Sequence, residues 1–158
     1  MNKVGKVLRR SARGELHDPL RYQEALEVLL AFRAAHEIPL TKANMGLRSV
    51  IKTEGCSVEV TQRLKRVPTI VDKLLREPTM QDIGGCRAVR DGIGQVPRVQ
   101  DRLCNNRPPW RLADYIDKPR SSGYRGVHVI VGYSAGSSEQ DVERPIEVQL
   151  RTRVMHGT

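Results

Sequence analysis

The chain has 158 residues, and 27 Lys and Arg against 18 Asp and Glu leave a net charge of +9 with its four His counted as neutral. That length suits one domain with appendages rather than two independent cores. No apolar run approaches the roughly 20 residues of a membrane span, and no apolar stretch of secretory type follows the basic start, so a soluble cytoplasmic protein with no membrane partner is expected. Cys56, Cys86 and Cys104 are odd in number without a C-x-x-C spacing, and the histidines show no H-x-x-x-H, so neither a disulfide framework nor a structural zinc site is written here.

Residues 1–17 carry Lys3, Lys6, Arg9, Arg10 and Arg13 with no acid before Glu15, and read as a flexible basic arm. Residues 18–57 read as a helical part. Asp18-Pro19 is an N-cap followed by proline at the first helical position, and Tyr22, Ala25, Leu26, Leu29 and Leu30 recur at helical spacing to about residue 35. Leu40, Ala43, Leu47, Val50 and Ile51 predict a second helix ending before Gly55.

Residues 58–158 read as the functional core. From Val58 the period shifts toward two, placing Glu59, Thr61, Arg63 and Lys65 on one face of a strand, with Gln62 the exception on the other. Pro68 starts a short helix with Ile70, Val71, Leu74 and Leu75. Gly84 to Val89 is a strand whose glycines admit close approach, and Pro97 opens a helix with Val99 and Leu103. Two strands close the series, Val127 to Tyr133 with alternating valines, and Pro145 to Thr152, where Ile146, Val148 and Leu150 alternate with Glu147, Gln149 and Arg151. Residues 134–143 form an exposed connection between them.

Four clusters bear chemistry. Arg63, Lys65 and Lys73 could embrace a polyphosphate, although a charge run of this kind taken alone is ordinarily a solvated face. Asp82 and Glu147 could hold a divalent cation or supply a general base, although two isolated carboxylates are more often surface residues. The segment from Asp114 to His128 sets Lys118, Arg120 and Arg125 around Tyr124, which suits phosphate contact and base stacking, or else an ordinary turn with an aromatic anchor. Glu147, Gln149 and Arg151 line one strand face, with Met155 and His156 beyond; His128 reads equally as a structural histidine. No G-x-x-x-x-G-K-[ST], G-x-G-x-x-G or G-x-S-x-G is present. Phosphate must therefore be met by side chains.

In this order the clusters resemble the synthetase domain of the RelA/SpoT family, from about Arg63 to His156. Arg63-Leu64-Lys65 with Thr69-Ile70 and Lys73 is similar to the family's R-x-K…S-I…K stretch, and Asp82-Ile83-Gly84-Gly85-Cys86-Arg87 to its D-i-x-g-x-R strand. Asp114-Tyr115-Ile116 to His128 is similar to D-Y-I…P-K-x-x-G-Y-x-x-x-H, and Ile146 to Thr152 with Met155-His156 to E-x-Q-[IL]-R-T…M-H. Arg120 stands in place of the family's Lys, Thr69 in place of Ser, and the connection from Pro78 to Gln81 is short.

The resemblance implies an α+β fold, a mixed sheet flanked by helices of the nucleotidyltransferase-like kind, and transfer of pyrophosphate from ATP to the 3′-hydroxyl of GDP or GTP, or of an adenosine nucleotide. Asp82 and Glu147 would bind Mg2+, with Glu147 also activating the hydroxyl. Arg63 and Arg87 would flank the adenine, and Lys65 and Lys73 would meet the donor phosphates. Tyr124 would stack on the acceptor base, Lys118 and Arg120 would contact acceptor phosphates, and His128, Gln149 and Arg151 would complete the site. With no hydrolase region preceding the synthetase blocks, no reverse activity is expected. Two other readings stand beside this one: a toxin-type enzyme that modifies the 3′ end of tRNA, with the basic arm holding RNA and an antitoxin protein as candidate partner, and an inactive RNA-binding or regulatory module. A homo-oligomer is a further candidate state.

Overall fold

The computed structural model describes residues 2–15, 17–55, 58–74, 76, 80–90, 95–122, 125–136 and 141–152. Three helices come first: α1 (Asn2–Ala12), α2 (Pro19–Ala34) and α3 (Glu37–Thr53). Asp18 caps α2 as its sequence predicts, its carboxylate accepting from the Arg21 amide at 3.2 Å with Pro19 at the start of the helix. Then follow β1 (Glu59–Leu64), α4 (Val67–Leu74), β2 (Gly84–Arg90), α5 (Val96–Asn106), β3 (Arg111–Asp114), β4 (Val127–Tyr133) and β5 (Arg144–Thr152). None of these helices is long and apolar enough to cross a membrane.

The five strands form one sheet in the order β1-β2-β5-β4-β3, with β2 and β5 parallel and every other pair antiparallel. The fold is thus α+β with a mixed sheet, as the resemblance implies. Period-two alternation divides the two faces. Cys86, Ala88, Ile146, Val148, Leu150, Val127, Val129, Val131 and Tyr133 point one way and pack against Leu40, Ala43, Leu47, Val50 and Ile51 of α3 and Val96, Val99 and Leu103 of α5. Each fully buried aliphatic side chain there is worth about 1.5–3 kcal/mol over its exposed state. The other face carries the polar residues. Register aligns them in rows across the sheet, Arg63–Gly85–Glu147–Ile130–Arg111 and Thr61–Arg87–Gln149–His128–Ala113.

A second, smaller cluster joins Leu8, Ala25, Leu29, Ile70, Leu74 and Ile83. It corrects the expectation of a flexible basic arm. Val4, Val7, Leu8 and Ser11 recur three or four residues apart, the spacing of one helix face, and Leu8 is 0% exposed within the cluster. Counting charges in this segment obscured its apolar stripe. Lys3, Lys6, Arg10 and Arg13 stay exposed on the opposite side.

Two further expectations change. The sheet has a fifth strand, β3, ending at Asp114, which the sequence does not signal; four residues are too few for alternation to register. Lys65 does not share a strand face with Arg63. The chain leaves the sheet after Leu64, the Lys65 amide bonds to the Ile83 carbonyl at 2.6 Å, and its side chain turns inward to 8% exposure.

Candidate active site

Asp82 stands immediately before β2, held by its neighbour Ile83, which is buried in the smaller cluster. Two ammonium groups meet its carboxylate. Lys65 Nζ donates to Oδ2 at 2.5 Å, and Lys73 Nζ, from the last turn of α4, reaches both oxygens at 3.1 Å. Burial pushes the Asp82 carboxyl up, but the hydrogen bonds from Lys65 and Lys73, reinforced by their charges, outweigh it and hold the carboxyl below its usual value.

Glu147 lies on β5 with its side chain on the polar face. Gln149 donates from Nε2 to Glu147 Oε1 at 2.5 Å, and His128 Nδ1 stands 3.6 Å from Oε2. Burial raises this carboxyl; the contacts with His128 and then Gln149 lower it by more, against a smaller upward push from Asp82. Both acids are therefore ionised at neutral pH. The Gln149 amide is oriented by two partners, since its Oε1 accepts from Arg87 Nε at 3.3 Å while its nitrogen serves Glu147. On the far side of His128 the Tyr115 ring meets the imidazole edge to face, with centroids 5.2 Å apart. Arg120 then lies over the Tyr115 ring at 4.3 Å and donates to its hydroxyl at 2.9 Å.

Two cavities open on this face. One, of about 140 Å³, is lined by Thr61, Arg63, Gly85, Arg87 and Gln149; the other, of about 320 Å³, by Lys73, Arg111, Tyr115, Arg120 and His128. Asp82 and Glu147 line both. The carboxylate pair is the shared wall between two compartments, each with its own cations.

Of the residues singled out in the sequence, Arg63, Lys73, Asp82, Arg87, Arg120, His128, Glu147 and Gln149 line these cavities, and Lys65 joins them through Asp82. Arg151 lies further along the polar face of β5, half-buried, and Lys118 is exposed after the β3 turn; neither lines a cavity. Tyr124, Met155 and His156 lie outside the described residues, as does Cys56. Sequence reasoning missed Arg111, which β3 carries into the larger cavity, and gave no role to Tyr115. For Arg111 the only signal was position, three residues before the Asp114-Tyr115-Ile116 block. Cys86 backs onto the smaller cavity, but burial and then the charge of Glu147 push its thiol up to about 12, so it is no nucleophile at neutral pH.

The donor set suits a hard divalent cation. Two ionised carboxylates face a common space, and among the described residues no group of three His, Cys, Asp or Glu side chains gathers to enclose a metal. Magnesium is held in this open manner, by one or two carboxylates with the remaining positions left to phosphate and water.

The family model described as "Region found in RelA / SpoT proteins" matches residues 62–158, more than half of the chain. The chain belongs to the RelA/SpoT family. The GTP pyrophosphokinase YjbM of Bacillus subtilis is 30% identical over 106 residues, covering 61% of this chain and 50% of that protein. The probable GTP diphosphokinase RSH3, chloroplastic, of Arabidopsis thaliana is 30% identical over 132 residues, 76% of this chain but 17% of that protein. The chain thus spans half or less of these RelA/SpoT relatives. Among solved structures, the small alarmone synthetase 1 from Bacillus subtilis superposes with a TM-score of 0.72 at 26% identity, covering 83% of this chain and 74% of that one. A GTP pyrophosphokinase family protein from Streptococcus pneumoniae gives 0.72 at 27% identity, with 82% and 71% covered. The Bacillus subtilis enzyme bound to its product pppGpp gives 0.70 at 25% identity, with 83% and 75% covered.

Proposed function

We propose that this RelA/SpoT-family chain transfers a pyrophosphoryl group from ATP to the 3′-hydroxyl of GDP or GTP. The observation that carries the reading is the carboxylate pair, Asp82 and Glu147, shared by two separate cation-lined cavities. A transfer between two nucleotides needs two compartments meeting at one reacting centre. The related structure with product pppGpp and the relatives named GTP pyrophosphokinase support the same substrates.

The donor occupies the compartment between β1 and β2. Arg63 and Arg87 flank its base, and its transferred phosphates reach the shared wall, where Lys65 and Lys73, the latter on the larger cavity's side of Asp82, exchange the Asp82 carboxylate for phosphate oxygens. The acceptor occupies the larger cavity, with Arg120 and Arg111 toward its phosphates and His128 at the reacting end; Gln149, on the wall of the smaller cavity, orients Glu147 there, and acceptor roles for Lys118, Tyr124 and Arg151 rest on the family resemblance. The acceptor 3′-oxygen forms a bond to the β-phosphorus of ATP as the bridge to the α-phosphate breaks; AMP leaves with the bonding electrons and Glu147 takes the hydroxyl proton. The lowered carboxyl of Glu147 makes it a weak base, so its contribution lies in placement and charge more than in basicity. Positioning and charge neutralisation supply most of the catalysis in such transfers. Asp82 and Glu147 would hold Mg2+, which neutralises charge developing on the transferred group.

Incubation with labelled ATP and magnesium, offering GDP, GTP, AMP and deacylated tRNA in turn, tests this. Label on a guanosine nucleotide is the expected result; label on tRNA alone, or on no acceptor, overturns the reading. Glu147→Gln is expected to lower kcat at least about 100-fold, the scale of losing one group that acts in the transition state, while the folded signal is unchanged.

A further inference from the structure

The cations around Asp82 are themselves held from behind. Arg33, near the end of α2, donates from Nε to the Lys65 carbonyl at 2.8 Å. Arg9, in α1, donates from Nη1 to the carbonyl of Leu74, the residue after Lys73, at 2.9 Å. Neither arginine lines either of the two cavities of the site. Their targets are the backbone at the two points from which the lysines reach Asp82. The Leu74 carbonyl is one of the acceptors that a helix end leaves without an intrahelical donor, so a guanidinium there satisfies a bond and meets the negative end of the α4 dipole.

Packing runs along the same route. Leu8 beside Arg9, Leu29 four residues before Arg33, Leu74 after Lys73 and Ile83 after Asp82 all belong to the smaller apolar cluster. Lys73 and Asp82 are thus each next in sequence to a residue of the cluster that α1 and α2 complete.

We propose that Arg9 and Arg33 are positioning residues for the donor phosphates, and that α1 is a strap whose docking sets the Lys65 and Lys73 geometry. The inference rests on the donor assignment above. The strap and the nucleotide favour the same arrangement of α4, so each stabilises the other by an equal free energy. Occupied donor site means docked α1.

Calorimetric titration with a non-hydrolysable ATP analogue and Mg2+, and separately with GDP, compares wild type with Arg9→Met, Arg33→Met, Arg9→Lys, and Lys6→Gln combined with Arg10→Gln as a charge control. Arg9→Met and Arg33→Met are expected to weaken the analogue about five- to tenfold, the scale of losing one ordinary hydrogen bond, and to change GDP affinity less than twofold. In turnover, the KM for ATP rises while the KM for GDP holds. Arg9→Lys recovers most of the loss, and the charge control binds as wild type does. Should the Met variants fail to fold, amide exchange on wild type decides: the analogue slows exchange in α1 together with α4. Wild type that binds the analogue while Arg9→Met and Arg33→Met bind it equally well, or an analogue that protects α4 and leaves α1 unchanged, overturns the strap and leaves the donor assignment standing. Wild type that binds no analogue overturns both.

Discussion

The two sides of the polar face are built differently. On the side proposed for the donor the lysines are internal: Lys65 is buried, Lys73 half-buried, and both are fastened to Asp82 over the apolar cluster of Leu8, Leu29, Ile70, Leu74 and Ile83. On the acceptor side Arg111, Lys118 and Arg120 are exposed, and the order comes from surface contacts, Arg120 on Tyr115 and Tyr115 against His128. Exposed pairs of that sort are worth at most about 1 kcal/mol, so the acceptor wall adapts where the donor wall is preset. In the proposed transfer, preset charge would avoid reorganisation when the transferred group reacts, and an adaptable wall would let one site take acceptors that differ by a phosphate.

The contrast can be broken from either side. The largest effect is expected on the donor side with Asp82→Asn, which leaves the buried Lys65 and Lys73 facing a neutral amide. Activity falls about 100-fold or more, and denaturant unfolding in metal-free buffer shows a loss of about 2 kcal/mol, below the 3–5 of a fully buried pair because Asp82 keeps some solvent contact. An unchanged midpoint would show that the donor wall is not preset. Next is Gly84→Ala. The new methyl carbon would stand 2.8 Å from the Ile146 Cδ1 atom beneath α3, and overpacking of that kind costs about 1–3 kcal/mol, seen as a lower unfolding midpoint. On the acceptor side Arg120→Ala is expected to raise the acceptor KM about tenfold, the loss of about one charged contact, and to move stability by less than about 0.5 kcal/mol. A loss as large as that of Asp82→Asn would erase the distinction.

The smallest effect concerns His36, at the junction of α2 and α3. It is fully buried, its Nδ1 stands 2.7 Å from the Phe32 carbonyl and its Nε2 has no hydrogen-bond partner among the described residues. Burial lowers its pKa from the ordinary 6.5, with the backbone contact opposing and the charge of Arg144 assisting. A depressed folded value means that the unfolded chain binds the proton first, so stability is full above about pH 6.5 and declines as pH falls toward the folded value. The slope cannot exceed about 1.4 kcal/mol per pH unit for one proton. His36→Gln should remove the part of the slope between pH 6.5 and 5.5 in parallel unfolding curves; retention of the full slope would assign it to another group.

Legibility in the sequence followed the same division. The apolar alternation of β4 and β5 and the helical spacing of α2 and α3 were plain because each runs long enough for its period to register. Asp82, Glu147 and the lysines stood out because ordered blocks carried them. What the sequence concealed was where short segments turn. Four residues of β3 hid Arg111, the chain's departure from the sheet hid the inward path of Lys65, and the charge of residues 3–13 masked the stripe that docks Leu8. Arg9 and Arg33 were indistinguishable from surface cations, since their partners are backbone carbonyls distant in sequence.

The central position of β5 carries a consequence for the order of events during folding. β1 pairs with β2, and β3 with β4, but β2 and β4 meet only through β5, the last of the described strands in chain order. A growing chain can therefore assemble a donor half and an acceptor half as separate antiparallel units, yet hold no carboxylate pair until β5 slots between them and delivers Glu147. Long-range closure of this type is slow compared with local pairing. The shared wall of the two cavities is complete only once β5 has joined both halves.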